Sequence, residues 1–402
     1  MQASPGGRSI PQACPDAFHI LAKPRGALCN LDCKYCFYSR KADLYPESSF
    51  RMSDEVLDSF LRQVIRGHRS PDVTIAWQGG EPTLMGLDFF RRSIDIEHRY
   101  ALPGQRILNT IQTNGTLLDD EWCAFFRENG FLVGISIDGP EELHDQLRVD
   151  ANGKPTFSRA IKGLRALQRN RVEHNALVTV NAVNADHPLE VYRFLRDEAG
   201  FRFIQFIPVV ERDRRNGSVQ VTRETVAPED YGRFMIGVFD EWVRQDVGEV
   251  YVIAFDAALA SWYGEESGVC VNARTCGTAL AMEHNGDLFS CDHFVDREHF
   301  LGNILEDRMV DMVGSEQQQR FGSGKAQLPL QCRECDFLFA CRGGCPKDRF
   351  VLTPEGEAGL NYLCPGYLAF YRHIDRPMRL MRDLLNRGRA PAEITAMAPL
   401  PR

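Results

Sequence analysis

Three cysteines, Cys29, Cys33 and Cys36, sit at spacings of four and three residues, directly after the apolar run Phe18–Ala22. A 4Fe–4S cluster normally takes four thiolates, so a triad holds three irons and leaves the fourth open to a small ligand. The competing readings are a zinc knuckle, which wants four ligands, and buried cysteines acting as small hydrophobes. A second field lies far down the chain: Cys270, Cys276, Cys291, then Cys332, Cys335, Cys341, Cys345 and Cys364. Eight thiols complete two four-ligand sites, and two zincs or two iron–sulfur clusters fit equally by ligand count. Thirteen cysteines in 402 residues is a high and odd number. In a reducing compartment such tight clusters are metal ligands more often than disulfides. Cys14 and Cys123 stand outside both fields. Cys123, on a predicted helix, is expected to be buried, and Cys14 to be a free thiol in a loose segment.

The thiols need elements to hold them. Phe18–Ala22 reads as a buried strand ending at the first cysteine loop. Ser53 then caps a helix over 53–67, with Asp54 and Glu55 in its first turn and Val56, Leu57, Phe60, Leu61, Val64 and Ile65 at helical spacing. The alternation continues with strands at Val73–Trp77, Ile107–Gln112, Leu132–Ile137, Asn175–Val183 and Phe203–Ile207. Helices fall between them around 87–100, 119–129, 157–171 and 188–198. Six strand–helix units predict an α/β fold with a parallel sheet and right-handed crossovers, either a partial barrel or a doubly wound sheet. Polar and glycine-rich residues end each strand: Gln78-Gly79-Gly80-Glu81-Pro82, Gln112 to Gly115, Ser136 to Pro140. Folds of this kind place their active sites at those strand ends. Beyond the sixth strand an amphipathic helix falls near Tyr231–Val247, and Asn285-Gly286-Asp287 marks a hairpin turn before Cys291.

Composition narrows the class. With 44% hydrophobic and 25% charged residues the chain is an ordinary globular protein. A formal charge of −8 argues against nucleic acid as partner, which wants a basic face. No apolar run reaches the ~20 residues of a membrane span, and the N-terminus lacks the apolar core of a signal peptide. A cytoplasmic protein, without membrane or nucleic-acid partners, is the expectation.

The triad, with an aromatic before its last cysteine, resembles the cluster loop of the radical S-adenosylmethionine (SAM) superfamily. The later field resembles the SPASM extension of its peptide-modifying members. Longer strings, Trp77-Gln-Gly-Gly-Glu-Pro-Thr-Leu, Leu108 to Leu117, Gln205-Phe and Cys291-Asp-His-Phe, resemble the anaerobic sulfatase-maturating enzymes over roughly Phe18 to Tyr371. The resemblance implies a partial (β/α)6 TIM-like barrel at 18–240, a cysteine-rich domain at 250–375 binding two auxiliary clusters, and a C-terminal tail at 376–402. It implies SAM and three 4Fe–4S clusters: one on Cys29, Cys33 and Cys36, one on Cys270, Cys276, Cys291 and Cys345, and one on Cys332, Cys335, Cys341 and Cys364.

For SAM itself the resemblance points to Gly79, Gly80 and Glu81 at the amino group. Ser136 and Arg148 match contacts near the ribose and carboxylate, and Tyr35 and Val210 match contacts beside the adenine. Taken singly, these residues read as turn glycines or a solvated surface arginine. Asp292 matches the base that takes a substrate proton, although alone it reads as a turn residue. Tyr38, Gln78, Gln112 and Asn114 are candidates for orienting substrate. The implied reaction is oxidation of a Cys or Ser side chain in a sulfatase precursor (a Cys-x-Pro-x-Arg or Ser-type motif) to Cα-formylglycine. It starts with reductive cleavage of SAM to a 5′-deoxyadenosyl radical, the electron coming from a donor such as flavodoxin or ferredoxin. The alternative is a SPASM maturase that forms a thioether or carbon–carbon crosslink in a ribosomal peptide. Only about seventeen residues precede the first strand, too few for the peptide-recognition domain such maturases often carry.

Overall fold

The computed structural model describes residues 10–213 and 220–397. The chain forms two compact units, each assembled from separated segments. One comprises the residues up to Cys29 with Tyr38–Ile111 and Cys276–Gly324; the other comprises Asn30–Phe37, Gln112–Thr275 and the residues from Lys325 onward.

In the first unit, β1 (His19–Ala22) runs parallel to β2 (Asp72–Trp77), with Ile20 opposite Ile75. Strand β2 in turn runs parallel to β3 (Arg106–Thr113), with Val73 opposite Ile107. Helix α1 (Asp54–Gly67) begins where the capping pattern predicts, Ser53 accepting a hydrogen bond from the Val56 amide. Its six predicted apolar positions are all buried, each worth roughly 1.5–3 kcal/mol. Helix α2 (Leu87–Tyr100) adds Phe89 and Phe90, whose rings meet Trp77 edge-on.

The expected hairpin forms between Ala279–Met282 and Asp287–Phe289. Its first strand also pairs in parallel with β1, His19 opposite Ala279. The cysteine field thus contributes a strand to the core sheet, an arrangement that no local pattern announces. Cys14 is a free thiol as expected, but its segment is not loose. The residue is buried, because Arg69 gathers the Pro11 and Cys14 carbonyls and folds the segment down.

In the second unit, β4 (Leu132–Ser136), β5 (His174–Val180) and β6 (Phe203–Pro208) pair in parallel, and β6 also pairs with Tyr251–Val252. Helix α3 (Asp120–Glu128) precedes β4, and between the strands lie α4 (Glu141–Leu147), α5 (Phe157–Arg169) and α6 (Pro188–Arg193), the last running on through a π turn to Glu198. Cys123 on α3 is fully buried, as its helical spacing requires. Strand β5 stops three residues short of the predicted Val183, because Asn184 accepts the Asn181 amide and turns the chain.

Helix α7 (Pro228–Gln245) packs along the long helix Cys364–Asn386. The close approach falls at Gly232, where a Cβ would lie 2.8 Å from the Gly366 Cα. That long helix passes straight through position 376, with Ile374, Met378, Met381 and Leu384 buried along one face despite Pro377. Residues 398–402 of the expected tail lie outside the described residues. Among the described residues no helix is long and apolar enough to cross a membrane.

Candidate active site

In the first unit the chain leaves β1 through Lys23 and Pro24 and reaches Cys29. The glycine segment after β2 closes onto this stretch: the Gln78 amide donates to the Ala22 carbonyl, and the Glu81 amide to the Leu28 carbonyl, 3.0 Å. Both glycines are required here. Gly80 has φ +48°, and a Cβ would lie 2.0 Å from the Leu28 carbonyl oxygen; Gly79 has φ +86°, and a Cβ would lie 2.1 Å from the Lys23 Cδ. The Glu81 side chain is buried and accepts from the Thr83 amide and hydroxyl, so it caps the short helical turn Pro82–Met85.

Asp292 follows the hairpin, adjacent in the chain to Cys291. It is 7% exposed, and its Oδ1 lies 2.5 Å from the ammonium of Lys23, which is 1% exposed. That ammonium also sits 4.4 Å above the centre of the Tyr38 ring, and the Tyr38 hydroxyl donates to Glu283. The buried Gln318 amide donates to the Gly277 carbonyl at 3.0 Å and the Ser290 carbonyl at 3.1 Å. It thereby ties the segments carrying Cys276 and Cys291. Lys23, Glu283 and Gln318 were not singled out from sequence. Their partners are remote in the chain, and only the lysine at a strand's C-terminal end offered a signal.

The second unit gathers Tyr35, Arg148 and Asp138. Asp138 is fully buried and accepts from the Tyr35 hydroxyl, from Arg148 at 2.8 and 3.1 Å, and from the Thr179 amide and hydroxyl at 2.9 and 2.8 Å. Burial alone would raise this carboxyl, but the Arg148 charge and the hydrogen bonds hold it below the usual carboxylate range. Arg148 is therefore a buried partner and not a solvated surface charge. Asp138, read from sequence only as part of a strand end, is the hub. Gln112 donates to the Ser136 hydroxyl at 3.0 Å, and Asn114 to Asn30 of the cysteine loop at 2.8 Å. The Val210 carbonyl accepts from Lys347 at 3.1 Å.

This ion pair carries a test. Removing one partner of a buried pair costs about 3–5 kcal/mol, so Arg148→Met should lower Tm by roughly 5 °C. A circular-dichroism melt reads it. The pair's contribution is present above the unfolded carboxyl value of ~3.9 and is lost as pH falls through the lower folded one.

Further into this unit, Cys332, Cys335, Cys341 and Cys364 line one cavity of about 250 Å³ with Phe337, Tyr367 and Tyr371. Burial, with the neighbouring Cys364, Cys332 and Cys335 thiols adding, pushes Cys341 up to about 12. Cys345 is likewise raised to about 12 by burial, then by Asp348 and, to a smaller degree, by Cys270. The loop between Cys341 and Cys345 is held by Arg349. Its guanidinium donates to the carbonyls of Gly343, Lys325, Arg342 and Gly344 at 2.9, 2.7, 2.8 and 3.2 Å.

The Radical SAM superfamily model matches residues 24–195, and the iron–sulfur cluster-binding SPASM domain model matches residues 270–336. Over 390 residues the chain is 47% identical to a serine-type anaerobic sulfatase-maturating enzyme of Bacteroides thetaiotaomicron, covering 94% of each chain. The chain belongs to the anaerobic sulfatase-maturating enzymes. A cysteine-type member from Clostridium perfringens is 33% identical, over 88% of this chain and 95% of the relative. A solved structure described as native anSMEcpe with bound AdoMet superposes with a TM-score of 0.82 at 31% identity, covering 91% of this chain and 99% of that one. The fold expected from sequence is that of the family, a radical SAM domain with a SPASM domain, and the crosslinking alternative is not favoured.

As an anaerobic sulfatase-maturating enzyme the protein works with SAM and iron–sulfur clusters. The thiol chemistry fits. Thiols bind iron as thiolates, the metal taking the place of the proton. Four thiols around one cavity suit a cubane, whose ligands are spread around a core larger than a single ion. Among the described residues no three His, Cys, Asp or Glu side chains close on a point that one metal ion could occupy.

Proposed function

We infer that the chain oxidises a serine or cysteine side chain of a sulfatase precursor to Cα-formylglycine, with Asp292 as the base and serine as the preferred substrate residue. The observation that carries this reading is the buried Asp292 carboxylate, adjacent to Cys291 and ion-paired with Lys23. When bound, SAM on the Cys29, Cys33 and Cys36 cluster supplies hydrogen-atom abstraction at the substrate Cβ, and the auxiliary clusters supply an electron acceptor.

This chain's residues do the rest. The Gly79–Gly80 backbone, with Glu81, holds the SAM amino group. Ser136, Arg148, Tyr35 and Val210 line the remainder of the SAM site, the arginine and tyrosine acting through their grip on Asp138. Asp292 accepts the hydroxyl or thiol proton as the C–O or C–S double bond forms. Tyr38, Gln78, Gln112 and Asn114 orient the peptide. Cys270, Cys276, Cys291 and Cys345 hold one auxiliary cluster, and Cys332, Cys335, Cys341 and Cys364 the other.

We propose residues 18–240 as the radical core and 250–375 as the auxiliary-cluster domain, with the tail assigned at 376–402 beginning inside the continuous helix Cys364–Asn386. A peptide substrate is supported by the relative solved with a bound Cp18Cys peptide. A flavodoxin or ferredoxin is proposed as the primary electron donor, and the cytoplasm as the compartment of the reaction. Serine preference rests on the higher identity to the serine-type relative, 47% against 33%. A serine hydroxyl gives up its proton far less readily than a thiol of pKa ~8.5, so the base has more to do.

Mass spectrometry of an anaerobic reaction with SAM, reductant and paired Ser and Cys sulfatase-motif peptides tests this. The expected product is the Ser peptide lighter by about 2 Da, formed faster than the Cys peptide lighter by about 18 Da, with 5′-deoxyadenosine released. Faster conversion of the Cys peptide would overturn the serine preference. Deoxyadenosine with both peptides unchanged would overturn the formylglycine reading.

A further inference from the structure

Lys23 touches three separate parts of the site within the first unit. Its ammonium lies 2.5 Å from Asp292 Oδ1 and 4.4 Å from the Tyr38 ring centre, and its stem fills the space a Cβ at Gly79 would need, 2.1 Å from Lys23 Cδ. Its own amide is anchored to the Met282 carbonyl at 2.8 Å, in the hairpin that leads to Asp292. A lysine that is 1% exposed is rare without a counter-charge. Among the described residues Asp292 is the carboxylate that pairs with it.

We propose that Lys23 is the positioning residue of the Asp292 base, pinning Oδ1 so that Oδ2 is the oxygen presented to the substrate proton. The Oδ1 atom is shielded from solvent and faces the Lys23 ammonium at 2.5 Å. The aromatic face of Tyr38 and the bare backbone of Gly79 form the slot that keeps the lysine from swinging away. On this view one function of Gly79 is to make room for Lys23.

The proposal rests on Asp292 being the base, so the experiment carries wild type and Asp292→Asn alongside Lys23→Met. The readout is aldehyde formed per 5′-deoxyadenosine released. In Lys23→Met the ratio should fall at least about ten-fold. In Lys23→Ala, added butylammonium should restore part of it, a response that a packing defect would not give. An undiminished ratio in Lys23→Met, including a proportional loss of both products, overturns the proposal. No aldehyde from wild type, or full aldehyde from Asp292→Asn, would instead overturn the reading it rests on.

A second measurement needs no turnover. Thermal melts of Lys23→Met, Asp292→Asn and the double variant should be non-additive, the double variant melting no lower than the poorer single one. Additive losses would mean the two groups are uncoupled and would also overturn it. If Lys23→Met does not accumulate as folded protein, Lys23→Gln makes the same comparison with a polar, uncharged side chain.

Discussion

Asp292→Asn protein should still release 5′-deoxyadenosine from SAM while forming aldehyde about 100-fold more slowly or worse, the range that loss of a general base commonly produces. The amide is nearly isosteric, so the slot beside Lys23 stays filled. What is lost is the capacity to accept a proton from the substrate hydroxyl or thiol. Abstraction at Cβ and deprotonation at the heteroatom are separate events, and the variant should split them. Peptide would then be recovered unchanged or in side products, with deoxyadenosine accumulating in excess. Cys29→Ala is the contrasting control, since loss of a cluster thiol should remove both products. Full aldehyde formation by Asp292→Asn would move the base elsewhere.

Gly80→Ala should be nearly as damaging, by a different route. The new methyl would lie 2.0 Å from the Leu28 carbonyl oxygen and 2.9 Å from the Gly26 carbonyl oxygen, so backbone would have to move. Leu28 directly precedes Cys29, and its carbonyl accepts the Glu81 amide. The strain therefore falls on the first cluster thiol and the glycine segment together. A displacement near 1 Å can cost about 100-fold in rate, and SAM cleavage, not only aldehyde formation, should fall by that order. Equilibrium dialysis with SAM and the iron content of the purified variant separate a lost pocket from a lost cluster. Wild-type values for both would show that the close approach relaxes without consequence.

Much of the candidate site could be proposed from spacing, because thiols in tight sets are rare. Helix α1 was legible from its cap and apolar stripe, and the hairpin from Asn285-Gly286-Asp287. What stayed hidden depends on partners remote in the chain. Lys23 is one polar residue at a strand end until Asp292 is folded against it. Asp138 reads as a turn until Tyr35, Arg148 and Thr179 converge on it. The parallel pairing of the Ala279–Met282 strand with β1 leaves no local pattern in either segment. Pro377 masked the continuation of the last helix, whose buried Met378, Met381 and Leu384 keep the period on its far side.

The loop from Cys341 to Cys345 joins thiols assigned to two different clusters, and Arg349 holds it through three of its backbone carbonyls while a fourth bond, to the Lys325 carbonyl, ties it to the segment before it. Those bonds do not depend on the oxidation state of iron. When charge moves on or off either centre, the intervening carbonyls have little freedom to follow it. In the vocabulary of electron transfer, this stretch of backbone would add little to the outer-sphere reorganisation energy. An electron produced at the substrate would then cross this part of the protein without waiting for the protein to move.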